Sequence, residues 1–186
     1  MNINEYSMKI IDELKHVMSQ IDPINCEKFE EAILVSKKIF TAGAGRSGLM
    51  AKSFAMRLMH MGFESYVVGE TTTPNIEPGD LLVIASGSGE TGSLVSMAQK
   101  AKQYGALLAL VGIFPESSVG KLADIKLKIN APTPKVKTDA GIKSIQPMGS
   151  LFEQSILIFF DGIILRLMEK QGKNADTMFG KHANLE

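Results

Sequence analysis

Two short stretches of small residues carry most of the chemistry legible in this sequence. Residues 43–48 read Gly-Ala-Gly-Arg-Ser-Gly, and residues 86–92 read Ser-Gly-Ser-Gly-Glu-Thr-Gly. Glycines let a backbone approach an anion closely, and a stretch that opens a helix adds unpaired N–H groups at the positive end of the helix dipole. Each stretch follows a short apolar run and precedes a helix-period pattern, the place where an open parallel sheet carries its ligand loops. In the second stretch the hydroxyls of Ser86, Ser88 and Thr91 alternate with glycines. Hydroxyls and free N–H groups together can ring a single phosphate with charge-assisted hydrogen bonds. The expected phosphate ligands are Ser47, Ser86, Ser88 and Thr91.

Two nucleotide readings compete. The first stretch is also a literal Gly-x-Gly-x-x-Gly, and Glu70 ends the next apolar run about where a ribose-binding acid is expected. A second loop rich in hydroxyls is not part of that dinucleotide fingerprint. Residues 87–93 read Gly-x-x-x-x-Gly-Ser and lack the lysine with which a P-loop reaches the outer phosphates. A monophosphate beside sugar hydroxyls suits the pair better. The plain alternative is two ordinary strand-to-helix turns with Ser47 and Thr91 as caps.

These loops need a sheet to hold them, and the remaining pattern supplies one. Apolar runs at 39–42, 65–68, 81–85, 106–111 and 125–129 alternate with helix-period segments at 47–61 and 92–104, which argues for a parallel sheet. The continuous run Leu81-Leu82-Val83-Ile84-Ala85 reads as a strand buried on both faces. The expectation is an α/β fold, a doubly wound five-stranded parallel sheet flanked by helices on both faces. Before it lie an amphipathic helix with Tyr6, Ile10, Leu14 and Val17 on one stripe, and a second helix opened by Asp22-Pro23 that turns Phe29, Ile33 and Leu34 inward. After it come a long connection at 130–147, of a length that is usually functional or flexible, and a helix at 149–169 that is apolar nearly all round. A chain of this size can cover one stripe of such a helix, so the rest is expected to pack against another subunit.

The bulk numbers agree with a single compact domain. The chain has 186 residues, of which 45% are hydrophobic, and 20 basic residues balance 20 acidic ones. That balance speaks against a nucleic-acid or anionic-membrane partner. The single cysteine, Cys26, has no partner for an internal disulfide, and the N-terminus lacks the basic start and apolar core of a signal peptide, which together point to the cytoplasm. The most apolar stretch, 156–168, is interrupted by Asp161 and Arg166, so no membrane span is expected. His16, His60 and His182 lie far apart, with no zinc-ligand spacing. Neither a metal nor a cofactor is expected.

With its two loops and this strand order, the chain resembles the sugar isomerase (SIS) domain family. Within it, the chain is similar over nearly its whole length to the 6-phospho-3-hexuloisomerases. The similarity includes Thr71-Thr72-Thr73-Pro74, Gln146-Pro147-Met148-Gly149 through Glu153, and the tail Lys181-His182-Ala183-Asn184-Leu185-Glu186. Thr72-Thr73-Pro74 stands where arabinose 5-phosphate isomerases usually have His-Gly-Asp, which disfavours that branch. The resemblance implies interconversion of 3-hexulose 6-phosphate and fructose 6-phosphate through an enediol, in the ribulose monophosphate pathway of formaldehyde fixation. It implies a homo-oligomer, with a tetramer favoured, in which the N-terminal helices at 1–36 and the tail at 170–186 serve as packing arms.

It also implies that Gly45, Arg46 and Ser47 of the first loop and Ser86, Gly87, Ser88, Gly89, Glu90 and Thr91 of the second hold the substrate. Glu153 matches the family's base. Read from the residues alone, Ser150-Leu151-Phe152-Glu153 is equally a capping box that would fix Glu153 to its own helix start. His60 is suited to ring opening or to proton donation at the carbonyl, because imidazole titrates near neutral pH, and is equally suited to a helix end. Arg46 suits a phosphate or a subunit boundary, or simply solvent. His182 lies in a polar tail that the resemblance places over a neighbouring subunit's site. Other members of the family act as sugar-phosphate sensors joined to DNA-binding segments, but the N-terminal helices here carry no basic patch.

Overall fold

The computed structural model describes residues 1–134 and 140–185. The apolar runs pair as β1 (Ile39–Gly43), β2 (Ser65–Val67), β3 (Leu81–Ala85), β4 (Leu107–Gly112) and β5 (Ile125–Lys128). All neighbours are parallel, in the order β2-β1-β3-β4-β5. β3 lies at the centre and every one of its residues is buried, as a strand with helices on both faces requires.

Successive β3 side chains enter different cores. Leu81, Val83 and Ala85 pack with α2 (Pro23–Val35), α3 (Gly45–His60) and α6 (Ser150–Gln171). Leu82 and Ile84 pack with Leu94 and Ala98 of α4 (Gly92–Gln103) and Val119 of α5 (Ser118–Leu122). The result is the expected three-layer, doubly wound sandwich. In the first core Phe54 of α3 stacks on Phe160 of α6 with ring centroids 4.2 Å apart, and Phe29 and Phe159 extend the cluster. This aromatic contact fixes α6 against α3, which matters because both helices begin at the same end of the sheet.

The strand order reverses between β1 and β3. From β1 the chain moves to β2 on one side, and from β3 it moves through β4 to β5 on the other. The loops after two adjacent strands therefore open face to face at a topological switch point, where such sheets bind ligands. The first turn is tight enough to dictate its glycines. A Cβ on Gly48 would lie 2.7 Å from the Gly43 carbonyl oxygen, and one on Gly43 would lie 2.8 Å from the Gly48 Cα.

Element boundaries follow the sequence reading closely, and the differences are few. The helix expected from residue 47 starts at Gly45. α5 and α7 (Ala175–Phe179) were not expected, because five residues are too few to show a period. The apolar helix α6 is covered by more than one stripe, since α1 (Ile3–Met18), α2 and α3 all pack on it, leaving Ile158 and Leu165 as its exposed large apolar side chains. On α1 the predicted stripe is only partly covered: Val17 is buried, but Tyr6 is exposed beside Ile3, Met8 and Ile11. Of the connection at 130–147, residues 135–139 lie outside the described set, as does Glu186 of the tail.

Because the atoms nearest the Gly48 Cβ position are Gly43 backbone atoms that cannot rotate away, Gly48→Ala should destabilise the fold by about 1–3 kcal/mol. Urea unfolding would show this as a lower midpoint at an unchanged slope.

Candidate active site

The loops after β1 and β3 and the start of α6 enclose a cleft of about 330 Å³, lined by residues that include Gly45, Arg46, Ser47, Ser86, Gly87, Ser88, Thr91 and Glu153. Three helices begin here, and none has a side-chain cap. Ala44, Thr91 and Gly149 hold the N-cap positions of α3, α4 and α6 without a side-chain hydrogen bond. Elsewhere the chain caps its helices in the usual way, through Asn2, Asp22, Ser117 and Asn174 at α1, α2, α5 and α7. The turn-and-cap alternative for Ser47 and Thr91 therefore does not hold. No side chain satisfies the leading N–H groups of these helices, although the Ser150 N–H donates to the Pro147 carbonyl at 3.2 Å, and the dipoles favour an anion.

The hydroxyls are oriented to add to this. Ser86 Oγ accepts a hydrogen bond from the Gly89 N–H at 3.1 Å, and Ser88 Oγ accepts one from the Glu90 N–H at 3.2 Å. An oxygen that accepts from the backbone keeps its own proton to donate, which is what a phosphate oxygen needs.

Gly89 and Glu90, expected among the substrate ligands, do not line the cleft. Glu90 turns away and accepts from the Ser118 N–H at 2.8 Å and the Ser118 hydroxyl at 2.6 Å. Those two hydrogen bonds, the hydroxyl's first, hold its carboxyl below the usual carboxylate range. Gly89 has φ 63°, and a Cβ there would run into the Ser117 side chain. Both residues tie the loop to the start of α5. Glu70, the would-be ribose ligand, pairs instead with Lys52 at 2.6 Å and stays exposed.

Glu153 does not form the capping box that its spacing allowed. Ser150 is the first residue of α6 rather than its cap, and its Oγ accepts from Arg46 Nη1 at 3.0 Å. The same Nη1 lies 2.9 Å from Glu153 Oε2. This contact is an ion pair without the alignment of a hydrogen bond, so the buried Oε2 has no hydrogen-bond donor. Just before the helix, Met148 has φ 56°, the one positive φ among described non-glycine residues. Such backbone strain is worth about 1–3 kcal/mol and tends to be held at functional sites.

Several lining residues escaped sequence reasoning, among them Ile113, Thr133, Met148 and Phe152. Ile113 was accessible in principle, since it follows β4 at the same end of the sheet. Phe152 was not, because its place depends on how α6 docks. Among the described residues, no group of three or more His, Cys, Asp or Glu side chains is arranged to hold a metal ion.

The SIS domain family model matches residues 32–158. Over 186 residues, covering all of both chains, the sequence is 52% identical to 3-hexulose-6-phosphate isomerase of Bacillus subtilis (strain 168). It is 40% identical to the Mycobacterium gastri enzyme of that name, over 94% of this chain and 87% of that one. Among solved structures, a hypothetical protein from Methanococcus jannaschii, whose structure was taken to imply a 3-hexulose-6-phosphate isomerase, superimposes with a TM-score of 0.85. It is 33% identical and covers 98% of this chain and 99% of its own.

His60 stands apart from the cleft. It ends α3, about 20 Å along the helix from Arg46, so within one chain it does not join the loops. It is buried, stacks on His182 with ring centroids 5.5 Å apart, and has Arg57 Nη1 3.3 Å from its Nδ1. The tail, expected to cover a neighbouring subunit, here packs on its own α3 and α6. Burial first, then the charges of Arg57 and His182, hold the His60 pKa below its ordinary value. Above an unfolded-state pKa of about 6.5 the group is neutral folded or unfolded. Below it the unfolded chain takes up the proton first, so this contribution to stability is lost as the pH falls. The drop in Tm between about pH 7.5 and about pH 5.5 should accordingly be smaller for His60→Gln than for wild type. Equal drops would mean that His60 titrates alike in both states.

Proposed function

The chain belongs to the SIS domain family, and from that premise we propose that it interconverts 3-hexulose 6-phosphate and fructose 6-phosphate in this cleft. The observation that carries the reading is the convergence of three uncapped helix starts and one buried carboxylate oxygen without a hydrogen-bond donor. The first feature suits a phosphate, and the second suits a base. The names of the relatives in Bacillus subtilis and Mycobacterium gastri support it.

The substrate phosphate rests on the starts of α3 and α4, within reach of Ser47, Ser86, Ser88 and Thr91. The rest of the ketose then extends toward α6. Glu153 takes the proton from C3 of fructose 6-phosphate, leaving an enediolate over C2 and C3; the O3 hydroxyl proton passes to O2, and Glu153 returns the carbon-bound proton to C2, so that the carbonyl now stands at C3. A single carboxylate on one side of the chain can serve both adjacent carbons. The open N-terminus of α6 places partial positive charge beside the developing oxyanion.

This reading brings with it a homo-oligomer, a tetramer by resemblance, with the N-terminal helices and the tail as packing arms. Exposed apolar side chains on α1 (Ile3, Tyr6, Met8, Ile11) and α3 (Leu49, Met56, Met59) support it, since a monomer rarely leaves that much apolar surface in water. His60 and His182 would act only if a neighbouring subunit brought them to a cleft. Among the described residues no helix is long and apolar enough to cross a membrane, which is consistent with a cytoplasmic role in formaldehyde fixation.

Glu153→Gln keeps the shape of the side chain and removes its basicity. It should lower turnover by about 10²–10⁴-fold while fructose 6-phosphate still raises the Tm of the variant. Near-wild-type turnover would remove Glu153 as the base.

A further inference from the structure

Arg46 joins the two halves of the cleft. It is the second residue of α3, at the helix start that faces the phosphate position, yet its guanidinium reaches across to α6. There it makes one true hydrogen bond, to Ser150 Oγ at 3.0 Å, and one unaligned ion pair, to Glu153 Oε2 at 2.9 Å. Its side chain is 52% exposed, whereas that of Glu153 is 18% exposed. A half-solvated arginine held in this way is readily drawn to a better partner. A phosphate dianion is such a partner, because it carries more charge than a carboxylate and offers two oxygens to the guanidinium fork.

We infer that Arg46 is a positioning residue that exchanges partners: it lies against Glu153 in the free protein and moves to the substrate's phosphate, leaving Glu153 Oε2 open to accept the carbon-bound proton. The inference rests on the proposed role of Glu153. The proton balance is simple. Glu153 gains the C3 proton and gives it back at C2, the O3 hydroxyl proton passes to O2 within the substrate, and Arg46 neither gains nor loses one. The exchange ties the base to the phosphate, so that a ketose without a phosphate meets a Glu153 that is still engaged. It also explains why the ion pair lacks hydrogen-bond alignment: a well-formed bidentate pair would hold the base against its substrate.

Two readouts test it. In protein labelled with ¹³C at glutamate Cδ, the Glu153 resonance is the one missing from E153Q. Titration with inorganic phosphate should shift it saturably in wild type, and severalfold less in R46Q. Turnover is then followed as deuterium exchange at C3 of fructose 6-phosphate. Since Arg46 leaves Glu153 in the complex, R46Q should raise KM by about tenfold to a hundredfold and hold kcat within a few-fold, with R46K between the two. An Arg46 that merely clamps Glu153 in place would give the opposite split. A wild-type resonance that ignores phosphate, or an R46Q enzyme that loses kcat with KM unchanged, overturns the inference. Absence of any turnover in wild type would count against the proposed function instead, and the phosphate titration would still decide the partner exchange.

Discussion

Leaving a helix start without a side-chain cap forgoes stability, from a few tenths of a kcal/mol with Gly at the cap to about 0.5–2 kcal/mol with Ala, and this chain does so at α3, α4 and α6, all three of which open on one cleft. Its other helices are capped by Asn or by Asp or Ser side chains. The contrast follows from what the bare N–H groups do. Together with the helix dipoles they make a ready-made anion site, which a bound anion satisfies in place of water. Much of the architecture serves to bring them together. The parallel order β2-β1-β3 sets two loops side by side, Gly43 and Gly48 let α3 start close against its strand, and the Phe54–Phe160 stack holds α6 beside α3.

The fold was largely legible because its signals are local and repeated. Five apolar runs of strand length, with helical periods after the first and the third, leave few arrangements other than a parallel sheet with covered faces. What was lost lay in short or long-range features. α5 and α7 are too brief for periodicity. α6 looked too apolar for one chain to cover, yet three helices share that work.

The site divided along the same line. The loop residues of the cleft were legible because glycine and hydroxyl composition encodes backbone geometry directly, and Ser47, Ser86, Ser88 and Thr91, expected at a phosphate, all line it. Gly89 and Glu90 belong to the same motif but face α5, a distinction that depends on a helix the sequence did not reveal. Glu153 was ambiguous for a related reason. Ser-x-x-Glu spacing fits a capping box or a site residue equally well, and only the register of α6, with Ser150 already inside the helix, separates them. His60 ends α3, at the far end of that helix from the cleft of its own chain.

In the proposed reaction, phosphate binding falls to α3 and α4 and proton transfer to α6. The central claim is that a bound sugar phosphate exchanges a carbon-bound proton here. The most direct measurement is an NMR time course of the wild-type protein with fructose 6-phosphate in deuterated water. The account predicts deuterium at C3 together with the signals of a 3-ketose. Saturable binding of fructose 6-phosphate with no exchange at C3 would contradict it and leave a sugar-phosphate-binding domain in its place.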